Sequence, residues 1–137
     1  MAVANKQMEV GQELPPLKKE VALDRMRLFT GWVNRNIHTD LEWAKKAGLS
    51  APIAQGLMSH AFLSEMLTSF FGETWLKGGK LSVSFARYVV PGDTITAKGV
   101  IREKVVEGSS VIFTADVWCE NAMGEKTTVG TATARVL

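Results

Sequence analysis

The chain has 137 residues, 46% of them hydrophobic and 22% charged, which supplies apolar material for one domain, here taken as residues 1–137, with a real core. A formal charge of +2 is spread over scattered lysines and arginines; with no basic block or basic helix, the pattern argues against nucleic acid as a partner. The single cysteine, Cys119, excludes an internal disulfide and a cysteine metal cluster, and fits a reducing compartment.

The elements read as follows in chain order. MAVANKQMEVGQEL lacks the long apolar run of a signal peptide. Pro15–Pro16 limits residues 8–14 and 17–22 to short strands. Asp24 is placed to cap a helix over RMRLFTGW. The loop VNRNIH follows, and Thr39 with Glu42 has the spacing of a capping box for a short helix through Ala47, ended by Gly48. After Pro52 and Gly56, LMSHAFLSEMLTSFF is apolar on almost every face, so it is expected to be surrounded by other structure until Gly72 stops it. That window is too short to span a bilayer, and a soluble, cytoplasmic protein with no membrane partner is expected. From Lys80 the apolar period changes to two. Turns at Pro91–Gly92–Asp93, Glu107–Gly108 and Asn121–Glu125 divide the rest into four strands, read as an antiparallel meander. An α+β domain is expected, with a curled antiparallel sheet wrapped around a central helix at about residues 56–71.

Of the two histidines, His38 sits in NRNIHTD and His60 on the central helix. A neutral imidazole titrates near neutrality and can take and return a proton. A histidine in a loop is also compatible with a purely structural role. His60 is read as a packed core or interface residue. No phosphate-binding glycine loop and no metal-ligand cluster stands in the sequence.

IHTDLEWAKKAGLSAPIAQGLMSHAFLSEML resembles the central part of the MaoC-like (R)-specific enoyl-CoA hydratases, which have the hot-dog fold. LSVSFARYVVPGDTITA resembles that family's strand–PGD–strand hairpin, and VWCENAMGEKTTVGTATARVL its last two strands. The resemblance covers the chain from about residue 20. It implies a lyase that adds or removes water across the 2,3-bond of an acyl-CoA thioester, an enoyl-CoA hydratase or 3-hydroxyacyl-CoA dehydratase of fatty acid metabolism. It implies no cofactor beyond the CoA of the substrate, and a homodimer or a larger homo-oligomer built from dimers. His38 matches the family histidine as general base and acid. Gly56 matches the glycine that opens the central helix, where free N–H groups suit a developing oxyanion. Gln55 stands where that turn usually has histidine, and Ser64 where the family has a serine near its catalytic pair.

One departure bears on the chemistry. The family aspartate stands five residues before the histidine, and here that position is Val33. Arg35 takes the place of the family asparagine and Asn36 that of a proline. Three accounts remain open: Asn34, Asn36 or Ser64 positions the water, with His38 as the only titrating group; Asp40 supplies the carboxylate; or the chain is a non-catalytic subunit paired with an active one. Arg35 is a candidate for a carboxylate on the acyl group or a CoA phosphate. A thioesterase of the same superfamily is a further alternative, with Glu65 as its helix carboxylate.

Overall fold

A computed structural model describes residues 3–32 and 35–137. The elements are β1 (Leu17–Glu20), α1 (Leu23–Thr30), α2 (Leu41–Lys46), α3 (Gly56–Phe71), α4 (Glu73–Gly78), β2 (Lys80–Phe85), β3 (Thr94–Glu107), β4 (Ser110–Glu120) and β5 (Lys126–Val136). The strands form one antiparallel sheet in the order β1-β3-β4-β5-β2.

Helix α3 is the axis of the molecule, in contact with all five strands. Its buried side chains include Met58, Leu63, Met66, Leu67 and Phe70. Facing them, the period-two pattern turns Ile95, Ala97, Gly99 and Ile101 of β3 inward, with Phe113, Ala115, Val117 and Cys119 of β4 and Ala132 and Ala134 of β5. The alanines and Gly99 leave room for the helix, while Phe113 and Phe70 fill the space between them. Bulges between Ile101 and Glu103 and between Cys119 and Glu120 add local twist, which helps two long strands wrap a helix. This is the α+β arrangement expected, a curled sheet around a central helix.

Four local expectations are corrected. The four C-terminal strands are not a simple meander: β3, β4 and β5 are, but β2 crosses to the far edge beside β5. Residues 81–97 are therefore not a hairpin. Gly92 and Asp93 instead bond backbone to backbone with Val21, and the Asp93 carboxylate accepts from the Val90 N–H. Asp24 does not cap α1; Ala22 holds the cap position and Asp24 lies in the first turn, where the helix dipole favours it. The Thr39–Glu42 capping box does not form, because the Thr39 hydroxyl donates to the Asp40 carboxylate at 2.7 Å and Glu42 pairs with Lys46 and Arg35. Finally, α3 is not covered on every side: Leu57, Ala61, Glu65 and Ser69 form an exposed stripe at four-residue spacing. Helix α4 carries no strong pattern of its own and lies between Gly72 and Gly79.

On the sheet, Glu120 accepts from Lys98 and from the Trp118 indole, and these hold its carboxyl below the usual range, Lys98 foremost. A carboxyl lowered by folding stabilises the fold above its ordinary value of 4.5, and that contribution is lost as pH falls through the lowered value. Glu120→Gln is expected to lower urea stability modestly at pH 7, with a smaller gap to the parent at pH 3. An equal gap at both pH values would show that the ion pair is not its source.

Candidate active site

His38 lies in a loop whose own sequence shapes it. The Asn36 side-chain oxygen accepts the His38 N–H at 2.8 Å, an Asx turn, and the Asn36 carbonyl accepts from the N–H groups of Thr39 and Asp40. Arg27 of α1 donates to the Thr39 carbonyl at 3.0 Å. The Ile53 N–H donates to the Ile37 carbonyl at 3.1 Å.

The imidazole is fixed as firmly. His38 Nδ1 lies 2.8 Å from the Ile53 carbonyl oxygen. A carbonyl only accepts, so Nδ1 carries the hydrogen, and in the neutral ring Nε2 is the unprotonated base. One backbone segment thus orients the histidine and leads three residues later into α3.

At that point Gln55 occupies the cap of α3 without a side-chain cap bond. Its carboxamide instead donates to the Thr30 hydroxyl at 2.9 Å, tying the end of α1 to the start of α3. The Ala54 N–H donates to the Val89 carbonyl at 2.8 Å, which brings in the segment after β2. The first N–H groups of any helix lack intrahelical acceptors and carry the positive end of its dipole. Gly56 opens the helix here, and a Cβ on it would lie 2.7 Å from the Phe85 ring.

These elements enclose a cavity of about 150 Å³. Its polar lining comes from His38, Gln55, Ser59, Arg87, Tyr88 and Thr128, and Gly56 and Phe85 also border it. A wider groove of about 590 Å³ adjoins it, sharing Phe85, Arg87 and Tyr88 and adding Asn121 and Glu125. Arg87 pairs with Glu125 at 3.3 Å there. Behind the cavity the Cys119 thiol donates to the Ser59 carbonyl at 3.7 Å. Burial pushes that thiol up to about 12, so it stays protonated and is no nucleophile.

His38, Gly56 and Gln55 thus come together. Asn36 borders the site from within the loop, with its side-chain oxygen committed to the His38 backbone rather than to a water. Ser64 does not line this cavity; it follows Gly56 by eight residues, roughly 12 Å along the helix axis. Arg35 points to acidic neighbours instead, 3.4 Å from both Asp40 and Glu42. Asp40 is held below the usual carboxylate range by the Thr39 hydroxyl first and by Arg35, and it does not line the cavity. Glu65 pairs with Lys19 at 2.8 Å on the exposed stripe, and His60 is half-buried away from the cavity. Asn34 and Val33 lie outside the described residues. Among the described residues no three His, Cys, Asp or Glu side chains converge to hold a metal ion. Among the same residues no helix is long and apolar enough to cross a membrane.

Sequence reasoning missed Ser59 and Thr128. Both had a signal: Ser59 stands three residues after Gly56, one turn on and on a neighbouring face of the helix, and Thr128 shares strand parity with the inward Ala132 and Ala134. Arg87 and Tyr88 follow β2 in irregular chain, where no periodicity marks a direction.

The family model described as "MaoC like domain" matches residues 5–123. No curated protein sequence matches the chain. Among solved structures it is similar to the (R)-hydratase from A. caviae involved in PHA biosynthesis, at 22% identity and a TM-score of 0.77, over 97% of this chain and 100% of that one. The MaoC-like dehydratase from Rhodospirillum rubrum gives 20% identity and a TM-score of 0.78, covering 95% and 93%. A C-terminally truncated HadBC (3R-hydroxyacyl-ACP dehydratase) complex from Mycobacterium tuberculosis gives 17% and 0.68, covering 96% and 99%.

Proposed function

The chain belongs to the MaoC-like domain family, and from that premise we propose that it is a hydratase or dehydratase of acyl thioesters, acting on a trans-2-enoyl-CoA or its 3-hydroxyacyl counterpart. The observation that carries the reading is the pairing of His38, its Nδ1 hydrogen held by the Ile53 carbonyl, with the open start of α3 across one small cavity. In the hydration direction the water oxygen bonds to C3 while His38 Nε2 takes the water's proton. The electrons of the double bond move onto the thioester oxygen. The Gly56 N–H and the positive end of α3 stabilise that oxygen, a kind of donor worth about 3–4 kcal/mol of barrier. His38 then returns the proton to C2. General acid–base catalysis of this kind contributes about 10²–10⁴-fold.

The inner cavity holds the reacting end of the acyl group and the groove past Phe85, Arg87 and Tyr88 takes the rest of the thioester. A cavity of about 150 Å³ is small beside the roughly 300–1,000 Å³ of ordinary ligand sites. Phe85 and Tyr88 border this region and are 55% and 69% exposed. Such apolar exposure supports a homodimer whose second chain completes the acyl channel.

Mass spectrometry of the purified chain with a panel of trans-2-enoyl-CoA and 3-hydroxyacyl-CoA esters tests the reading. Gain or loss of one water is the expected result. Free CoA would instead make it a thioesterase. A folded chain that binds CoA and alters no ester would make it an accessory subunit.

A further inference from the structure

Ser59 and Thr128 are the two most enclosed polar residues of the His38 cavity, 3% and 1% exposed. Polar groups at that depth ordinarily have hydrogen-bond partners. Thr127, the neighbour of Thr128, does: its hydroxyl donates to the Cys119 carbonyl at 3.3 Å. The Ser59 and Thr128 hydroxyls neither donate to nor accept from a protein group among the described residues. No fully enclosed side-chain oxygen or nitrogen among these residues lacks a partner, so both hydroxyl oxygens open onto the cavity space. They come from different elements, α3 and β5, and line one cavity beside Phe85, which pairs with Thr128 across β2 and β5.

Their place relative to the helix start gives them a partner. With the thioester oxygen at the Gly56 N–H, C3 lies two bonds beyond the thioester carbon. Ser59 is one helical turn beyond Gly56, about 4.5 Å along the axis and on a neighbouring face. Building on the hydratase reading, we propose that the Ser59 and Thr128 hydroxyls form the subsite for the oxygen on C3. That oxygen is the attacking water in one direction and the 3-hydroxyl in the other. Each hydroxyl can donate to it or accept from it, while His38 takes or returns its proton. The pair supplies by hydrogen bonding the water placement that Val33, as an aliphatic side chain, cannot supply. It does not replace a second titrating group.

Calorimetric titration of the full chain carrying His38→Asn, which removes the base, gives a test that needs no turnover. The ligands are 3-hydroxybutyryl-CoA and butyryl-CoA, which differ at C3 alone. Two neutral hydrogen bonds predict a preference of roughly ten-fold for the hydroxy ester. Adding Ser59→Ala and Thr128→Val should abolish the preference and leave butyryl-CoA affinity unchanged; Thr128→Ser in place of Thr128→Val should restore part of it. Both substitutions nearly preserve shape, and thermal unfolding of each variant checks the fold. A preference that survives the double substitution overturns the subsite while leaving the hydratase reading intact. Binding of neither ester by the otherwise unsubstituted, folded chain overturns that reading and the subsite with it.

Discussion

His38→Asn is expected to cut water exchange on an enoyl-CoA ester by about 10²–10⁴-fold while thermal stability barely changes. The asparagine carboxamide nitrogen falls close to where Nδ1 stands, so it can still donate to the Ile53 carbonyl that now accepts at 2.8 Å. What it lacks is any group that can take a proton at the position of Nε2. The His38 backbone N–H keeps its bond to Asn36, so the turn is retained. His38→Ala loses the bond to Ile53 as well, and leaves that half-buried carbonyl without its partner, a cost of about 1–3 kcal/mol. Stopped assays by mass spectrometry and thermal unfolding on both variants separate the two roles. An Asn variant with undiminished turnover would remove His38 from the chemistry. An Asn variant as unstable as the Ala variant would show that the imidazole itself, rather than one hydrogen bond, holds the loop.

The contrast between these variants bears on what the sequence made legible. The helix that became α3 was readable because its apolar content and its bounding glycines are local facts, and Gly56 and Phe71 are its observed ends. The strands were readable by period two. Their order was not, because a strand's pattern records which face is buried and not which edge it joins; β2 therefore appeared to pair with β3 when it pairs with β5. At the site, Gly56 and His38 carried signals in residue type. The commitments of Asn36, Arg35 and Asp40 depend on which groups the loop brings within reach: the His38 backbone for Asn36, Asp40 and Glu42 for Arg35, and Thr39 with Arg35 for Asp40. Ser64 shows the limit of a family position: a serine eight residues into the helix is not on the turn that borders the cavity described around His38. Ser59 borders the cavity from the first turn of α3, and Thr128 borders it through the pairing of β2 with β5, which its strand parity does not record.

That pairing makes Gly130 the position where a minimal change should have a large effect. Gly130 faces Val83 across β2 and β5. A Cβ built there would lie 2.2 Å from the Ser82 carbonyl oxygen and 3.0 Å from the Val83 Cα. Both are backbone atoms of a paired strand, so no side-chain rotation relieves the overlap, unlike the contact of Gly56 with the half-exposed Phe85 ring. β2 is an edge strand, held by β5 alone on its hydrogen-bonding side, and it must shift or detach. Overpacking of this kind costs about 1–3 kcal/mol. For a chain of this size Gly130→Ala should lower Tm by roughly 3–12 °C. The loss should not stay at the edge: β2 ends at Phe85, and Arg87, Tyr88 and Val89 follow it into the cavity wall. Hydrogen exchange should therefore show lost protection in residues 80–85 and at the Ala54 N–H, which rests on the Val89 carbonyl. Loss confined to 80–85 would mean that the cavity wall is held independently of β2, through Ala54 and the Val21–Asp93 bonds. An unchanged Tm would mean that β5 can admit a methyl group here, and that the close approach of the two strands is not what requires glycine.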